Sequence, residues 1–340
     1  MVKYNGRAEG RINSGQSVFR GIEVPDEWAE RLPHEPPRGL IMLVGAPDSG
    51  KTTLARYLWE RFAPAVETAA WLDADIGQST LGPPTTMTLA VTRYPASPPY
   101  PPKGMRRRYF VGNTSPRGHM LSVVVGVVRL ARLALRQRAH FVVVDTTGLI
   151  APERGGVALK QAKLELLRPR WVLALQRGDE LEPILAPWDG HPVIRIVRLP
   201  VAEAAAPKTR ERRRAHRREQ FRRYFARAGR LVLALEELSV VGHGAPVPGL
   251  LVGLQDHDGF TRALGIVEDV ESSSGRLVVR TPLRDSASVR ALRLGRVHLT
   301  AAFEEYVPRR HPAHREAEAH AGEETRGDRG TMGGTCADDR

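Results

Sequence analysis

Short apolar runs alternate with helical patterns through the first two thirds of the chain. Residues 39–44 (GLIMLV) form a continuous apolar run that ends at a glycine loop, and 52–62 (TTLARYLWERF) have the spacing of an amphipathic helix. Further strands are predicted at 69–73, 141–145, 171–175 and 193–199, and further helices at 121–138, 156–167 and 208–230. Strands that alternate with helices predict an α/β fold with a doubly wound, mostly parallel sheet.

Changes in this pattern predict four units along the chain. The first is a polar extension in which 22–32 (IEVPDEWAERL) could form a strand and a helix, and the last has few aliphatic residues. A proline-rich stretch at 95–102 is predicted to be a loop or lid within the main domain. The predicted units are an extension at 1–37, an α/β domain at 38–230, a small β module at 231–307 and a disordered tail at 308–340.

Composition favours a polyanionic partner and argues against a membrane protein. Lys and Arg outnumber Asp and Glu by 51 to 38, which gives a formal charge of +13 and suits nucleic acid, although an Arg-rich coding bias would give the same excess. No apolar run approaches the roughly 18 to 20 residues that cross a bilayer. The N-terminus lacks the apolar segment of a secretory signal and Cys336 is the single cysteine, so we expect a cytoplasmic protein without an internal disulfide.

One motif predicts a phosphate-binding loop. Residues 45–52 (GAPDSGKT) match G-x-x-x-x-G-K-[ST] and lie between a predicted strand and a predicted helix, as the mechanism requires. Lys51 would reach the β- and γ-phosphates of ATP and the Thr52 hydroxyl would hold Mg²⁺, whereas a simple glycine-rich turn is the alternative. The residues predicted to surround the phosphates are Gly45, Ala46, Pro47, Asp48, Ser49, Gly50, Lys51, Thr52 and Thr53.

Three carboxylates follow strands and could converge on the γ-phosphate. Asp73 and Asp75 end one predicted strand and Asp145 ends another, and strand ends border the ligand crevice in open α/β sheets. Phosphoryl transfer needs one carboxylate to organise Mg²⁺ and one to accept the proton of the attacking hydroxyl. Asp75 and Asp145 are the leading pair, with Thr52 as the third candidate metal ligand. Which of the three aspartates is the base stays open, and a turn or capping role is the alternative for each.

These elements together resemble the polynucleotide 5′-hydroxyl-kinase family. That family acts in tRNA and ribosomal RNA processing and in mRNA 3′-end formation, and it includes archaeal enzymes active on free 5′ ends. The most specific likeness is 73–78 (DADIGQ), which corresponds to the family's D-x-D-x-G-Q after a phosphate loop. Residues 146–149 (TTGL) stand where the family has a T-x-G-W clasp, and 108–119 (RYFVGNTSPRGH) and the arginine-rich helix also look alike. The resemblance runs from about residue 38 to about 300.

The resemblance implies a P-loop NTPase fold and a role for each matching residue. Asp75 would activate the 5′-hydroxyl, and Gln78 would lie near the metal or the γ-phosphate. Thr146 and Gly148 would clasp the phosphates or the substrate end. The family's lid carries an R-x-x-x-R pair, assigned here to Arg213 and Arg217 by their spacing from the aromatic pair at 224–225.

The register of the lid pair stays open. Arg210 with Arg214, or Arg214 with Arg218, fits the bare pattern equally well. An arginine delivered by a mobile lid can neutralise the charge that spreads over the transferred phosphoryl group. For most arginines of this helix, a solvated surface or a clamp on the RNA backbone is the better interpretation.

Two departures from the family pattern concern base stacking and the docking of partners through an N-terminal domain. Leu149 replaces the clasp tryptophan, so we expect any stacking to come from elsewhere, with Tyr109 and Phe110 as candidates. Basic residues interleave with that aromatic pair over 103–119, which suits a loop that grips a single-stranded end, although a buried aromatic pair is the alternative. The large N-terminal β domain of eukaryotic members has no counterpart here.

The leading hypothesis is ATP-dependent phosphorylation of the 5′-hydroxyl of RNA, with DNA as a second acceptor. The predicted partners are therefore RNA or DNA 5′-hydroxyl ends, and protein partners cannot be read from the chain. An ATP-driven switch or assembly factor is the alternative, and a metabolite kinase would not need so basic a chain. No N-K-x-D guanine motif is present, which argues against a GTPase.

Overall fold

The computed structural model describes residues 10–13, 16–19, 21–93, 100–203, 205–271 and 273–308 of the 340-residue chain. The chain divides into two units at 1–305 and 306–340, and the account below concerns the first. Apart from Pro308, the tail predicted to be disordered lies outside the described residues, and so does Cys336.

Seventeen strands and six helices are found within the described residues. The strands are β1 (Gly10–Asn13), β2 (Gln16–Phe19), β3 (Ile22–Pro25), β4 (Gly39–Gly45), β5 (Thr68–Ala74), β6 (Thr86–Arg93), β7 (Met105–Phe110), β8 (Phe141–Thr146), β9 (Trp171–Gln176), β10 (Arg195–Pro200), β11 (Gly229–Ala234), β12 (Ser239–Val241), β13 (Leu250–Gln255), β14 (Thr261–Glu271), β15 (Arg276–Thr281), β16 (Ala291–Leu299) and β17 (Glu305–Tyr306). The helices are α1 (Asp26–Arg31), α2 (Lys51–Phe62), α3 (Met120–Arg136), α4 (Gly156–Leu167), α5 (Glu182–Leu185) and α6 (Arg210–Tyr224).

A parallel sheet in the order β10-β9-β4-β8-β5 carries the phosphate loop at its centre. These strands are nearly continuous apolar runs because helices cover both faces of the sheet. Alternate residues of β4 and β8 point to opposite sides, so that Met42 and Val144 join one core and Ile41 and Val143 the other. Helices α3 and α4 pack on the first face and α1 and α2 on the second. The doubly wound α/β core is thus confirmed.

Beyond β5 the sheet becomes antiparallel. Strands β6 and β7 continue it, and β7 meets β14 where Arg108 pairs with Thr261. Strands β13, β14, β15 and β16 then enclose a separate apolar core that includes Leu233, Val252 and Leu277. Because the strands of the predicted C-terminal module continue the same sheet, its division from the main domain at residue 230 stays a prediction. Among the described residues, no helix combines the length and apolarity needed to span a membrane.

Part of the segment 103–119, expected to be a single-strand-binding loop, is a strand, β7. Tyr109 and Phe110 end β7 and are 3% and 0% exposed, so the expectation that they stack on a substrate base is wrong. Tyr109 lies in the core beneath α3, and its hydroxyl accepts a hydrogen bond of 2.9 Å from Arg293. Only the end of β7 is buried, where β6 pairs along one edge and β14 pairs with Arg108 on the other. That pairing is between distant parts of the chain and leaves no local pattern.

The basic stretch 208–230 is helical only as α6, and Gly229 already begins β11. Three aromatic residues fix the end of α6. Phe221 and Phe225 are fully buried against Leu251 and Leu264, and the Tyr224 hydroxyl accepts a hydrogen bond of 2.9 Å from the Leu264 amide. The N-terminal part of the helix is therefore the part that can respond to a ligand.

The close approach of α3 to the sheet gives a stability prediction. A Cβ at Gly126 would collide with the side chains of Met87 and Tyr109. We expect Gly126→Ala to lower the free energy of unfolding by about 1–3 kcal/mol through overpacking, although alanine favours an open helix position. The control is Gly229→Ala, where no atom lies within 4 Å of the added carbon. Urea unfolding of both variants checks this, and equal stabilities would contradict it.

Candidate active site

The phosphate loop turns from β4 into α2 through backbone conformations that suit glycine. Gly50 has a φ of 89° and Asp48 one of 57°, and a Cβ at Gly45 would stand 2.5 Å from the Ser49 hydroxyl. Helix α2 begins at Lys51 without a side-chain cap and without an acidic residue in its first turn. Its uncapped amide groups and the positive end of its dipole favour an anion at this position.

Lys51 folds back into the loop that it follows. Its ammonium donates to the carbonyls of Gly45 and Ala46 at 3.0 and 2.6 Å and lies 3.4 Å from the Ser49 hydroxyl. Burial lowers the pKa of Lys51, and the nearby charges of Asp145 and then Asp75 oppose that shift. The ammonium is held by neutral carbonyls, so the phosphates of a nucleotide would be stronger partners for it.

Thr52 and Asp145 form the candidate magnesium site. The Thr52 hydroxyl donates to Asp145 Oδ2 at 2.7 Å, while Oδ1 of the same carboxylate is buried and has no hydrogen-bond partner among the described residues. Burial raises the pKa of Asp145 to about 7, with Asp73 adding to the shift and Thr52 opposing it. A dry carboxylate with one unused oxygen beside a hydroxyl fits Mg²⁺, which prefers oxygen ligands and relieves such a buried charge. The residues present therefore fit the metal.

Asp73 builds the loop that follows β5 rather than facing a ligand. It is 1% exposed, and its oxygens accept hydrogen bonds from the Asp75 amide, the Ser79 hydroxyl and the amides of Thr80 and Leu81, at 2.6–3.1 Å. Burial raises the pKa of Asp73 to about 6 against the effect of these bonds. With both oxygens already satisfied, Asp73 is the least suited of the three aspartates to take up a substrate proton.

Asp75 is half-buried and uses only one of its oxygens. Oδ1 accepts from the amides of Gly77 and Gln78 at 2.9 and 3.0 Å, and no described residue donates to Oδ2. Burial lowers the pKa values of Lys51 and His216, and the charge of Asp75 opposes both shifts, which indicates that Asp75 lies near the phosphate loop and near α6. An oriented carboxylate with a free oxygen can accept a proton from an incoming hydroxyl.

The clasp segment after β8 packs directly on the phosphate loop. A Cβ at Gly148 would stand 2.6 Å from the Cα and N atoms of Pro47, so only glycine allows this approach. Thr146 is fully buried instead, and its hydroxyl donates to the Leu43 carbonyl at 2.7 Å. Of the two residues assigned to the clasp, Gly148 thus lies against the loop, and Thr146 ties together the strands below it.

One face of α6 lies over the loop that contains Asp75. Gln78 Nε2 lies 3.5 Å from the Arg213 carbonyl and donates to the Gly77 carbonyl at 2.8 Å. His216 Nε2 lies 3.3 Å from the Ser79 carbonyl. Arg213 reaches the phosphate loop itself, because its guanidinium pairs with Asp48 at 2.5 Å. Gln78 and Arg213 are therefore adjacent, and Arg213 contacts the phosphate loop.

The other arginines considered for the lid lie elsewhere. Arg217 forms two hydrogen bonds of 2.8 and 2.6 Å with Glu305 and does not contact the phosphate loop. Arg218 pairs with Glu304, and Arg210 and Arg214 are exposed. Arg213 and Arg217 share one face of α6, but they have different partners: Arg213 pairs with Asp48 of the phosphate loop, and Arg217, one turn further along, pairs with Glu305.

Two site-proximal residues escaped the sequence analysis. Lys160 and Lys163 on α4 are both 0% exposed, and the charge of Asp75 acts on both. The signal was present, because the buried residues of α4 follow the apolar spacing of a packed helix and lysines occupy two of those positions. Lysine is almost never fully buried without a partner, so lysines at the buried positions of a helix, such as Lys160 and Lys163, indicate candidate functional residues.

The raised pKa of Asp145 gives a prediction about stability and pH. In the unfolded chain this carboxyl titrates near 3.9. The folded protein binds the extra proton between that value and about 7, so the free energy of unfolding falls as the pH rises through this window. Relative to the wild type, Asp145→Asn should gain on the order of a few kcal/mol between pH 4 and 7 and no more above it.

This is measured by urea unfolding without nucleotide or metal. Asp179→Asn, at an exposed position, is the control and should show no such change. If the stability difference between wild type and Asp145→Asn stayed constant over the whole pH range, the raised pKa of Asp145 would be contradicted.

Comparison with known proteins places the chain in a family. The family model described as the P-loop region of mRNA cleavage and polyadenylation factor CLP1 matches residues 45–227, more than half of the chain. A Pyrococcus abyssi protein named polyribonucleotide 5′-hydroxyl-kinase is 30% identical over 322 residues, covering 78% of this chain and 89% of that protein. A Methanocaldococcus jannaschii protein of the same name is 28% identical over 356 residues, covering 86% and 97%.

A solved structure of wild-type Clp1p in complex with Pcf11p shares the fold. It superimposes with a TM-score of 0.57 at 13% identity and covers 80% of this chain and 76% of that one. The matched residues 45–227 contain the phosphate loop, Asp75, Asp145 and α6, which are the parts that build the site described above. The chain therefore belongs to the CLP1 P-loop family, together with the archaeal proteins named polyribonucleotide 5′-hydroxyl-kinases.

Proposed function

We propose that this protein is an ATP-dependent polynucleotide kinase that transfers the γ-phosphate of ATP to the 5′-hydroxyl of RNA. One observation carries the proposal. Asp75 has a carboxylate oxygen to which no described residue donates, and its charge acts on Lys51 of the phosphate loop, which is followed by the Thr52–Asp145 pair. A switch ATPase could use the same oxygen to activate a water, so the choice of a 5′-hydroxyl as acceptor is supported by the similarity to proteins named polyribonucleotide 5′-hydroxyl-kinase.

The chain's own residues divide the work of the transfer. Lys51 and the amides at the start of α2 would hold the phosphates, and Thr52 and Asp145 would hold Mg²⁺, which would neutralise charge on the phosphate oxygens. Asp75 takes the proton of the 5′-hydroxyl as the oxygen of that hydroxyl forms its bond to the γ-phosphorus. The bond to the bridging oxygen breaks at the same centre, and ADP leaves with the electron pair.

Arg213 is the lid residue that the geometry favours for the transferring phosphoryl group. In this structure it is held at the phosphate loop by Asp48, which would place its guanidinium next to a bound nucleotide. Arg217 stays a candidate only if its pair with Glu305 opens. The positive charge of the chain and of α6 suits an RNA strand, and DNA is a second acceptor to be tested.

We expect Lys51→Ala and Asp75→Asn to strongly reduce the labelling of an RNA oligomer by γ-labelled ATP. For Asp75→Asn the rate should fall about 10²–10⁴-fold because the proton acceptor is lost while the loop that binds ATP is kept. Asp179→Asn is the exposed control. The assay uses 5′-hydroxyl RNA and DNA oligomers in parallel, with 5′-phosphorylated oligomers as blanks.

The outcomes of this assay separate the candidate functions. Label on RNA supports the proposal, and the ratio of RNA to DNA labelling gives the preference. ATP hydrolysis that needs no oligomer, with no labelled product, would instead indicate a switch or assembly ATPase. Label on a nucleoside or metabolite but on neither oligomer would indicate a small-molecule kinase.

A second experiment tests the lid arginine. Arg213→Ala should lower kcat by about 10³-fold or more while ATP affinity stays unchanged, because the guanidinium acts on charge that develops in the transition state. Arg214→Ala, next to it on the exposed side of α6, is the matched control and should retain full activity. An Arg213→Ala enzyme with the wild-type rate at saturating substrates would refute the assignment.

A further inference from the structure

Two lysines of α4 are enclosed completely by the protein close to the candidate site. Lys160 and Lys163 lie one helical turn apart on the same buried face, and both are 0% exposed. Burying an ammonium group is costly unless it is paired or hydrogen-bonded. The described mechanism uses neither residue, so their burial calls for an explanation.

The two lysines differ sharply in their contacts. Lys160 Nζ donates to the Thr146 hydroxyl at 2.7 Å and to the Thr147 carbonyl at 2.5 Å. Lys163 Nζ is buried without a hydrogen-bond partner among the described residues. Both ammonium groups lie near the charge of Asp75, and Lys160 lies near Asp145 and Lys51 as well, so the two lysines differ in hydrogen bonding and in charged neighbours.

The contacts of Lys160 connect two strands that carry the site. The Thr146 hydroxyl gives its own proton to the Leu43 carbonyl at 2.7 Å, so it receives Lys160 through a lone pair. Leu43 is the register partner of Asp145 across the β4–β8 pairing. The chain of bonds from Lys160 through Thr146 to Leu43 therefore fixes the end of β8 against the strand that leads into the phosphate loop.

The second contact of Lys160 continues this support into the clasp. The Thr147 carbonyl that it binds directly precedes Gly148, which packs on Pro47 of the phosphate loop. Lys160 is thus bonded to the residues between the candidate magnesium ligand Asp145 and the clasp glycine. It touches neither the phosphate loop nor, being fully enclosed, any ligand in the site.

We propose that Lys160 is a positioning residue: through Thr146 and Thr147 it holds Asp145 and Gly148 in the arrangement that binds magnesium and ATP. The inference rests on the proposed function for its role in catalysis. Partners behind a metal ligand typically affect metal affinity or activity about 10–100-fold when removed. Lys163, equally buried and without such bonds, serves as an internal comparison.

A purely electrostatic role is the competing explanation. In that case the charge of each lysine would matter, near Asp75 for both and near Asp145 for Lys160, and Thr146→Val, which leaves both charges in place, would have no effect on binding. In the positioning role, only the lysine bonded to Thr146 and Thr147 matters. Replacing each lysine by methionine, which is similar in length and uncharged, separates the two explanations.

The experiment measures binding of a fluorescent ATP analogue to the full chain without an acceptor, with Mg²⁺ and with EDTA. Lys160→Met should weaken binding about tenfold or more with Mg²⁺ and by less than about twofold with EDTA. Lys163→Met should stay within about twofold of the wild type under both conditions. Equal effects of the two variants, or no effect of Lys160→Met, would overturn the proposal.

A second variant tests the contact itself, and it covers the case in which Lys160→Met does not fold. Thr146→Val removes the hydroxyl that Lys160 contacts and should weaken Mg²⁺-dependent binding in the same direction. Adding Lys160→Met to Thr146→Val should then cost clearly less than in the wild-type background, because the two residues share one interaction. Fully additive effects would show that Lys160 does not act through Thr146. Thermal unfolding of each variant confirms that the folded proteins are compared.

Steady-state kinetics with an RNA acceptor add a readout that a general loss of stability would not give. Lys160→Met should lower kcat about tenfold while leaving the KM for RNA unchanged, and Lys163→Met should alter neither. A raised KM for RNA with unchanged kcat would contradict a role at the metal site. A wild-type protein that binds Mg²⁺ and ATP but labels no RNA would defeat the proposed function alone, since the binding experiment needs no acceptor.

Discussion

The hydrogen bond from Thr52 to Asp145 joins the first turn of α2 to the end of β8, and the rest of the site is arranged around it. It holds the Asp145 carboxylate in a buried position, where burial raises the pKa of this group to about 7. Burying a charged carboxylate lowers the stability of the fold. Three further features surround this pair: the Lys51 ammonium, the free oxygen of Asp75, and the bonds of Lys160 behind β8. The molecule concentrates its unfavourable electrostatics at one edge of the sheet, where a nucleotide and a cation would relieve them.

Much of the fold and the centre of the site could be predicted because they have local signatures. Strands β4 and β8 are apolar on both faces, and their run of buried residues is visible without any knowledge of their partners. The phosphate loop requires glycine at Gly45 and Gly50 for reasons of backbone geometry, so its motif is specific. Because parallel strands end at the same edge, the convergence of Asp75 and Asp145 followed from the element order.

The remaining features depend on contacts between distant parts of the chain. Strand β6 pairs with β5, and β7 meets β14, so both strands depend on distant partners. The arginines of β7 make its sequence look like that of an exposed loop, but in the structure Arg106 donates to the carbonyls of Leu81 and Pro102. Which arginines of α6 face the site depends on the rotation of a helix that is basic on all sides. That rotation is set by the burial of Phe221 and Phe225, and it leaves Arg213 at the phosphate loop.

The packing of α6 limits where the chain can be shortened without loss of the site. Its N-terminal half carries Arg213 over the phosphate loop, while Phe221 and Phe225 sit in an apolar pocket completed by Leu251 and Leu264, which come from β13 and β14. The C-terminal strands therefore hold one end of the helix, and the other end carries Arg213. A fragment that stops near residue 230 would contain the phosphate loop, Asp75, Asp145 and α6. It would lack the apolar side chains of β13 and β14 that hold the end of α6 in place.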